Sequence, residues 1–310
     1  MTANFDTNNP ALGGIRLVLG GNVFGWTANA DTSFAILDAF YDAGGRMVDT
    51  ADVYSAWVPG HKGGESETVL GAWLKARGNR SAMRIATKVN GMNLPGGLQS
   101  AKVAAALDAS LQRLQTDYVD LYYAHRDDAE TPLDVIGGGF DALVRANKVR
   151  ALGASNFTAA RLGAARAAAL SNGFTPYTVV QNEFNLLVRD QHEGAIRELC
   201  AKEGVAALPY YGLAAGFLTG KYRTVEDLAK SPRGQGAPKK HLEKNLAMLG
   251  RMDKVAAETG ASLPQIALAW ILAQSGISAP IASATSVAQL KELLGATTLK
   301  LSPAQLAALG

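Results

Sequence analysis

The stretch RMVDTADVY (46–54) puts Asp49, Asp52 and Tyr54 directly after a short apolar run. A buried carboxylate is costly unless it is paired. Either this is a solvated acidic loop, or Asp49 and Tyr54 face partners from elsewhere in the chain. Lys88 closes the run RIATK (84–88) and His125 closes VDLYYAH (119–125), so both are candidate partners. A tyrosine phenol, with an ordinary pKa of about 10, is a poor acid at neutral pH. A lysine ammonium near its oxygen favours phenolate, and a carboxylate paired to that lysine keeps it charged and oriented. A histidine beside the phenol can hydrogen-bond a substrate carbonyl. Together these four side chains suit general-acid delivery of a proton to a carbonyl oxygen. The hydride must then come from a nicotinamide cofactor.

The same logic extends along the chain. Ser155, Asn156 and Gln181 have the right groups to grip a carboxamide, and Tyr210 offers a ring face for stacking. Asn22 and Ser283 complete a set in which every apolar run ends on a polar residue.

Those runs lie at 17–21, 47–49, 84–88, 119–125, 150–155, 178–181, 205–210 and 277–283. Amphipathic segments such as SETVLGAWLKARG and SAKVAAALDASLQRLQ separate them, and several end on glycine as a helix stop should. Eight strands alternating with helices predict a parallel sheet with crossover helices. The early runs start roughly 30 residues apart, the length of one βα unit. An α/β fold closed as a (β/α)8 TIM barrel uses this count economically, and it brings the C-terminal strand ends to one mouth. The reading is one domain over 1–310. No strand leads into G-x-G-x-x-G, and GFLTGKY lacks the spacing of a phosphate-binding Walker loop. KSPRGQGAPKK (230–240) reads as the longest irregular stretch, after the seventh strand.

Composition narrows the function classes. Apolar residues make up 48% of the 310, charged residues 18%, and the net charge is +3. No Lys/Arg run exceeds Lys239-Lys240, which argues against nucleic-acid or membrane-surface partners. The single cysteine, Cys200, fits a reducing compartment and reads as a packing thiol. The polar start MTANFDTNNP has neither a basic nor an apolar signal region, so a cytoplasmic location is expected. His61, His192 and His241 show no ligand spacing, so no metal is expected. Asp127 and Asp128 read as a solvated loop. Phe24, Trp26 and Trp57 fall in loops after the early strands, where aromatics suit substrate walls. Arg233 and Lys239 lie in the long loop, and a cofactor-phosphate role and a solvated surface fit them equally well.

The segments VDTADVY, GESETVLGAWLK, IATKV, VDLYYAH, KVRALGASNF, QNEFNLL and PYYGLAAGFLTGKY, taken in order, resemble the aldo-keto reductase superfamily from about residue 12 onward. That resemblance implies a catalytic tetrad of Asp49, Tyr54, Lys88 and His125. It implies nicotinamide contacts from Ser155, Asn156 and Gln181, with Tyr210 as the stacking aromatic and Gly21 and Asn22 on the cofactor side. Gly212, Leu213, Gly216 and Lys221 match the family's pyrophosphate clasp, while Ser283, Thr285, Gln289 and Glu292 match its adenosine end. The chain departs from the pattern at Phe184, where tyrosine is common, and in lacking a basic residue near Ser283 or Thr285. The implied activity is interconversion of aldehydes, ketones or sugars with alcohols, using NADP(H) and also NAD(H). The partner is a small carbonyl or alcohol. Two alternatives are a Schiff-base aldolase with Lys88 as nucleophile and a non-catalytic cofactor-binding redox sensor.

Overall fold

Each apolar run is too short to stand as a helix, most are rich in β-branched or aromatic residues, and each is followed by a segment with one apolar face. The chain resolves this conflict by burying strands inside a ring of helices. The computed structural model describes residues 15–94, 96–231 and 236–310. The strands are β1 (Val18–Gly20), β2 (Met47–Asp49), β3 (Arg84–Val89), β4 (Leu121–Ala124), β5 (Leu152–Ser155), β6 (Val179–Gln181), β7 (Ala206–Ala207) and β8 (Ile281–Ala282). Between and after them run α1 (Ala30–Asp42), α2 (Glu65–Arg77), α3 (Ser100–Leu114), α4 (Leu133–Arg145), α5 (Ala159–Ser171) and α6 (Ala195–Glu203). The later helices are α7 (Ala237–Thr259), α8 (Leu263–Leu272), α9 (Val287–Gly295) and α10 (Pro303–Leu309).

All neighbouring strands pair in parallel, in the order β7-β6-β5-β4-β3-β2-β1-β8. The remaining gap closes through a parallel bridge between Ala207 and Ile277. The Ser278 N–H donates to Ala207 O and the Ile281 N–H to Pro209 O at that seam. The (β/α)8 barrel expected from the sequence is therefore present. Arg16 ties the two ends of the ring together, its guanidinium donating to the carbonyls of Leu272, Ile277 and Ser278.

Two separate cores follow from the period of two along a strand. Val18, Met47, Ala86, Leu121, Tyr123, Ala151, Val179, Leu208 and Ile281 fill the barrel interior. Their outward-facing neighbours, such as Leu19, Val48, Ile85 and Tyr122, pack against the helices. Gly153 makes room inside the barrel, because a Cβ there would lie 2.4 Å from the Tyr123 ring. One step of two residues beyond the interior layer lie Gly20, Asp49, Lys88, Tyr123, Gly153, Gln181, Tyr210 and Ser283. The pleat that buries the apolar layer thus also points the polar strand ends inward, at the mouth.

The end of KSPRGQGAPKK is not irregular: α7 begins at Ala237, with Pro238 in its first turn, where proline's missing N–H costs nothing. Residues 232–235 lie outside the described residues. No single described helix is long and apolar enough to cross a membrane.

Candidate active site

The mouth is organised around one buried cation. Lys88 is fully buried, and its ammonium donates to Asp49 Oδ2 at 2.5 Å, to the Thr50 carbonyl at 2.7 Å and to the Tyr54 hydroxyl oxygen at 3.1 Å. An ammonium has three hydrogens, and all three are engaged. Burial pulls the Lys88 pKa down, but the Asp49 carboxylate and the Tyr54 oxygen outweigh it and leave it raised. The group is a charged ammonium.

Asp49 shares its load. Its second oxygen, Oδ1, accepts from the Gln181 side-chain amide at 2.9 Å. The acidic stretch after β2 therefore does not leave Asp49 unpaired.

Tyr54 accepts from Lys88, and no described residue accepts its own proton. Burial raises the phenol, the Lys88 cation lowers it, and the nearby Asp49 carboxylate raises it again, so that its pKa stands above 10. The sequence-based expectation of a lowered phenol pKa is not met: the Lys88 cation acts in the expected direction, but burial outweighs it. At neutral pH the phenol keeps its proton.

His125 presents its ring edge-to-face with Tyr54, centroids 6.0 Å apart. Burial, then the charges of Lys88 and Arg126, hold its pKa well below 6.5, so the imidazole is neutral. Its Nδ1 is buried and has no hydrogen-bond partner. A proton there would be an unsatisfied buried donor, which is costly. The neutral ring therefore carries its hydrogen on Nε2.

A second network borders this cluster. The Ser155 hydroxyl donates to Gln181 O at 2.8 Å. The Asn156 amide donates to His125 O at 2.9 Å and to Ser155 Oγ at 3.1 Å. Tyr210 donates its hydroxyl proton to Asn156 Oδ1 at 2.7 Å, which fixes the ring. Amide, hydroxyl and a half-buried aromatic face are the donor set that a nicotinamide carboxamide requires. These residues fit that group beside Tyr54. Further round, Ser283 donates to Asn22 Oδ1 at 2.6 Å. Thr285 donates through its backbone and its hydroxyl to Gln289 Oε1, shaping the turn into α9.

A sequence model of the aldo/keto reductase family matches residues 16–310. The chain belongs to the aldo/keto reductase family. An uncharacterized oxidoreductase, YrpG, of Bacillus subtilis strain 168 is 33% identical, the match covering 92% of this chain and 88% of that protein. The aldo-keto reductase yakc [NADP(+)] of Schizosaccharomyces pombe is 32% identical over 89% of this chain and 81% of its own length. An aryl-alcohol dehydrogenase [NADP(+)] of Phanerodontia chrysosporium is 31% identical over 90% and 75%. Members of this family use NAD(P)H and act on small carbonyl or alcohol compounds, and membership makes this chain an oxidoreductase.

Other predicted positions of this aldo/keto reductase fall in different places. Gly21 is buried with its N–H donating to Asp49 O, and a Cβ there would lie 2.9 Å from Ser66 Oγ. Packing alone accounts for its being glycine. Gly212 is buried, Leu213 and Gly216 are half-buried, and Gly216 lies at φ 95°. Lys221 is exposed, its ammonium 5.0 Å from the Tyr222 ring centre. Glu292 is half-buried on α9. Arg233 lies outside the described residues.

Trp26 and Trp57 pack edge-to-face at 5.6 Å, and Trp57 meets Tyr54 at 5.7 Å. These rings form a wall at the mouth. Phe24, expected in the same wall, is instead fully buried in the core. Its position in an early loop was misleading, because that loop folds back so that Phe24 bridges to Ala28. Asp128 is another correction. It is 4% exposed and accepts from Gly96 N, Leu98 N, Glu130 N and the Thr131 hydroxyl, pinning the loop after β3. Asp127 pairs with Arg161 at 2.8 Å. Cys200 is buried, and burial pushes its thiol up to about 11, as a packing residue requires. Among the described residues, no three His, Cys, Asp or Glu side chains gather where they could hold a metal ion.

Proposed function

We propose that this chain interconverts carbonyl compounds and alcohols, with NADP(H) preferred and NAD(H) accepted with modest discrimination. The observation that carries this reading is the Lys88 ammonium, saturated by Asp49, Thr50 and the Tyr54 oxygen. It leaves a protonated phenol whose hydrogen is engaged by no described residue.

A bound nicotinamide supplies or accepts the hydride. In reduction, the Nε2–H of neutral His125 orients the substrate oxygen, and Tyr54 donates its proton as negative charge develops there. The Lys88 cation stabilises the phenolate that remains, and Asp49 holds Lys88 charged. In oxidation Tyr54 works in reverse, as phenolate base. Asn156, Gln181 and Ser155 would hold the carboxamide, and Tyr210 would supply the aromatic face for the nicotinamide ring. The lysine-nucleophile alternative needs a neutral amine. The raised pKa of Lys88 and its three engaged hydrogens oppose that reading.

The wall of Trp26 and Trp57 supports a flat, apolar or aromatic carbonyl. The aryl-alcohol dehydrogenase among the relatives agrees with this. For the cofactor, a 2′-phosphate favours Arg or Lys donors. On the turn and helix after β8 the only such side chain is Lys291, which is exposed, and Lys221 is an exposed cation on the loop after β7. The NADP(+)-named relatives favour NADP(H), and the sparse positive charge favours weak selectivity.

The test is steady-state turnover of aromatic and aliphatic aldehydes, ketones and sugars with each cofactor at one ionic strength. Reduction of an aromatic aldehyde with NADPH is expected. No turnover of any carbonyl, with cofactor bound, would leave the redox-sensor alternative standing. A preference for NADPH above about a thousandfold, roughly 4 kcal/mol, would mean that a dedicated phosphate-binding side chain exists.

A further inference from the structure

Tyr54 has two anchors that lie outside the loop that follows it. Its hydroxyl is fixed by Lys88, and its carbonyl accepts from Gly64 N at 2.8 Å. Residues 55–63 therefore make an excursion that leaves and rejoins the body at nearly the same point. Trp57 rides on this excursion, half exposed, between Tyr54 and Trp26.

One side chain gathers the excursion. Glu65, the first residue of α2, accepts from Ser55 N at 3.1 Å and Gly63 N at 3.1 Å through Oε2, and from Lys62 N at 2.8 Å through Oε1. Oε2 thus joins both ends of the loop. A second hydrogen bond, between Ser55 Oγ and His61 Nδ1 at 3.0 Å, lies within it. Burial pushes the Glu65 carboxyl up, but the backbone donors outweigh this and hold it below the usual range.

Glu65 also touches the other half of the wall. Gly25, at φ 71°, packs so closely that a Cβ there would lie 3.1 Å from Glu65 Cβ. Gly25 directly precedes Trp26. The two tryptophans that face one another are therefore both referred to a single residue.

We propose that Glu65 is a positioning residue that fixes the Trp26–Trp57 wall and so selects bulky aromatic carbonyls over compact ones. This rests on the proposed carbonyl reduction, with Tyr54 as acid. Glu65 reaches the substrate only through the wall, and Tyr54 keeps its own anchors, so the effect falls on KM more than on kcat.

The experiment compares Glu65→Ala, Glu65→Asp and Glu65→Gln with the wild type. Each is assayed with NADPH on 2-naphthaldehyde and on propanal, and by acrylamide quenching of tryptophan fluorescence. Trp73 and Trp270 are buried, so quenching reports on the wall. Glu65→Ala should raise KM for 2-naphthaldehyde about tenfold, the scale of a lost apolar contact. Its kcat and its KM for propanal should stay within about threefold of wild type. Glu65→Asp is one methylene too short to reach Ser55 and should behave like Ala. Glu65→Gln can place its amide oxygen at the Oε2 position, keeping the bonds to Ser55 and Gly63, and should approach wild type. Quenching should rise above the wild-type level for Ala and Asp and stay at that level for Gln. Equal KM increases for both aldehydes, Gln as damaging as Ala, or quenching unchanged in all three would overturn the proposal. If wild type reduces neither aldehyde, the proposed function fails, and quenching alone still decides whether Glu65 holds the wall.

Discussion

Asp52 offers a sharp test of how the acidic stretch after β2 is tolerated. Its Oδ1 is buried without a hydrogen-bond partner, and its carboxyl is pushed up to about 7 by burial and then by the Glu67 carboxylate. Glu67 has its own partners, accepting from the Thr87 hydroxyl at 2.5 Å and from Arg113 at 2.7 Å. In the unfolded chain Asp52 would titrate near 3.8. The folded form therefore binds the Asp52 proton more tightly. Its stabilising effect is complete below the unfolded pKa and is lost as pH rises through about 7. The difference between 3.8 unfolded and about 7 folded corresponds to about 4 kcal/mol. Part of the side chain touches water, and screening there reduces the expected effect to about 2 kcal/mol. Asp52→Asn cannot ionise and escapes this loss. Urea unfolding of both proteins at a series of pH values should show near-equal stability around pH 4. The variant's advantage should then grow to about 2 kcal/mol by pH 8. Titrating groups remote from Asp52 cancel in the comparison. An advantage that does not change with pH would refute the assignment of a neutral, destabilised carboxyl at this position.

Other expectations concern the mouth. Tyr54→Phe should bind cofactor normally by fluorescence titration and lose about 10² to 10⁴-fold in turnover; near-normal turnover would remove Tyr54 from the chemistry. Because the phenol stands above 10, the reduction rate should be level across neutral pH, while oxidation should climb on the alkaline side. An oxidation rate that peaks at neutral pH would contradict this. Lys88→Met strands the buried Asp49 carboxylate and should cost about 3 to 5 kcal/mol in denaturant unfolding, besides abolishing turnover. Tyr210→Ala should weaken cofactor binding by about 1 to 3 kcal/mol, the scale of aromatic stacking, with substrate preference unaltered.

The barrel was legible because period-two burial and the helical stripes agree along most of the chain. The same alternation made Asp49, Lys88, Gln181 and Tyr210 recognisable, since a polar residue two steps beyond a buried apolar one must face the same way. The signal failed where position in a loop stood in for direction. Phe24 and Asp128 both belong to loops, yet one folds into the core and the other is a buried anchor. The start of α7 was hidden by its proline and the preceding glycines, although Met248, Leu249, Met252 and Val255 form a buried stripe. Glu65 was missed because a carboxylate at the start of a helix is ordinary. Only the path of residues 55–63 reveals what it accepts. Gln181 was assigned to a carboxamide, and nothing in the sequence showed that its amide also supports Asp49.

The seam between the first and last strands has a consequence for how the molecule is made. Arg16 reaches carbonyls 256 to 262 residues further along the chain, and Asn22 meets Ser283 across a separation of 261. Contacts of such high contact order must await loop closure over almost the whole polypeptide. During synthesis, the first strand emerges with no partner on its β8 side until the C-terminal segment has left the ribosome. The wall of the mouth that Asn22 and Ser283 share is thus among the last parts to exist. A nascent chain lacking that segment would hold Asp49, Tyr54, Lys88 and His125 and still be an open sheet.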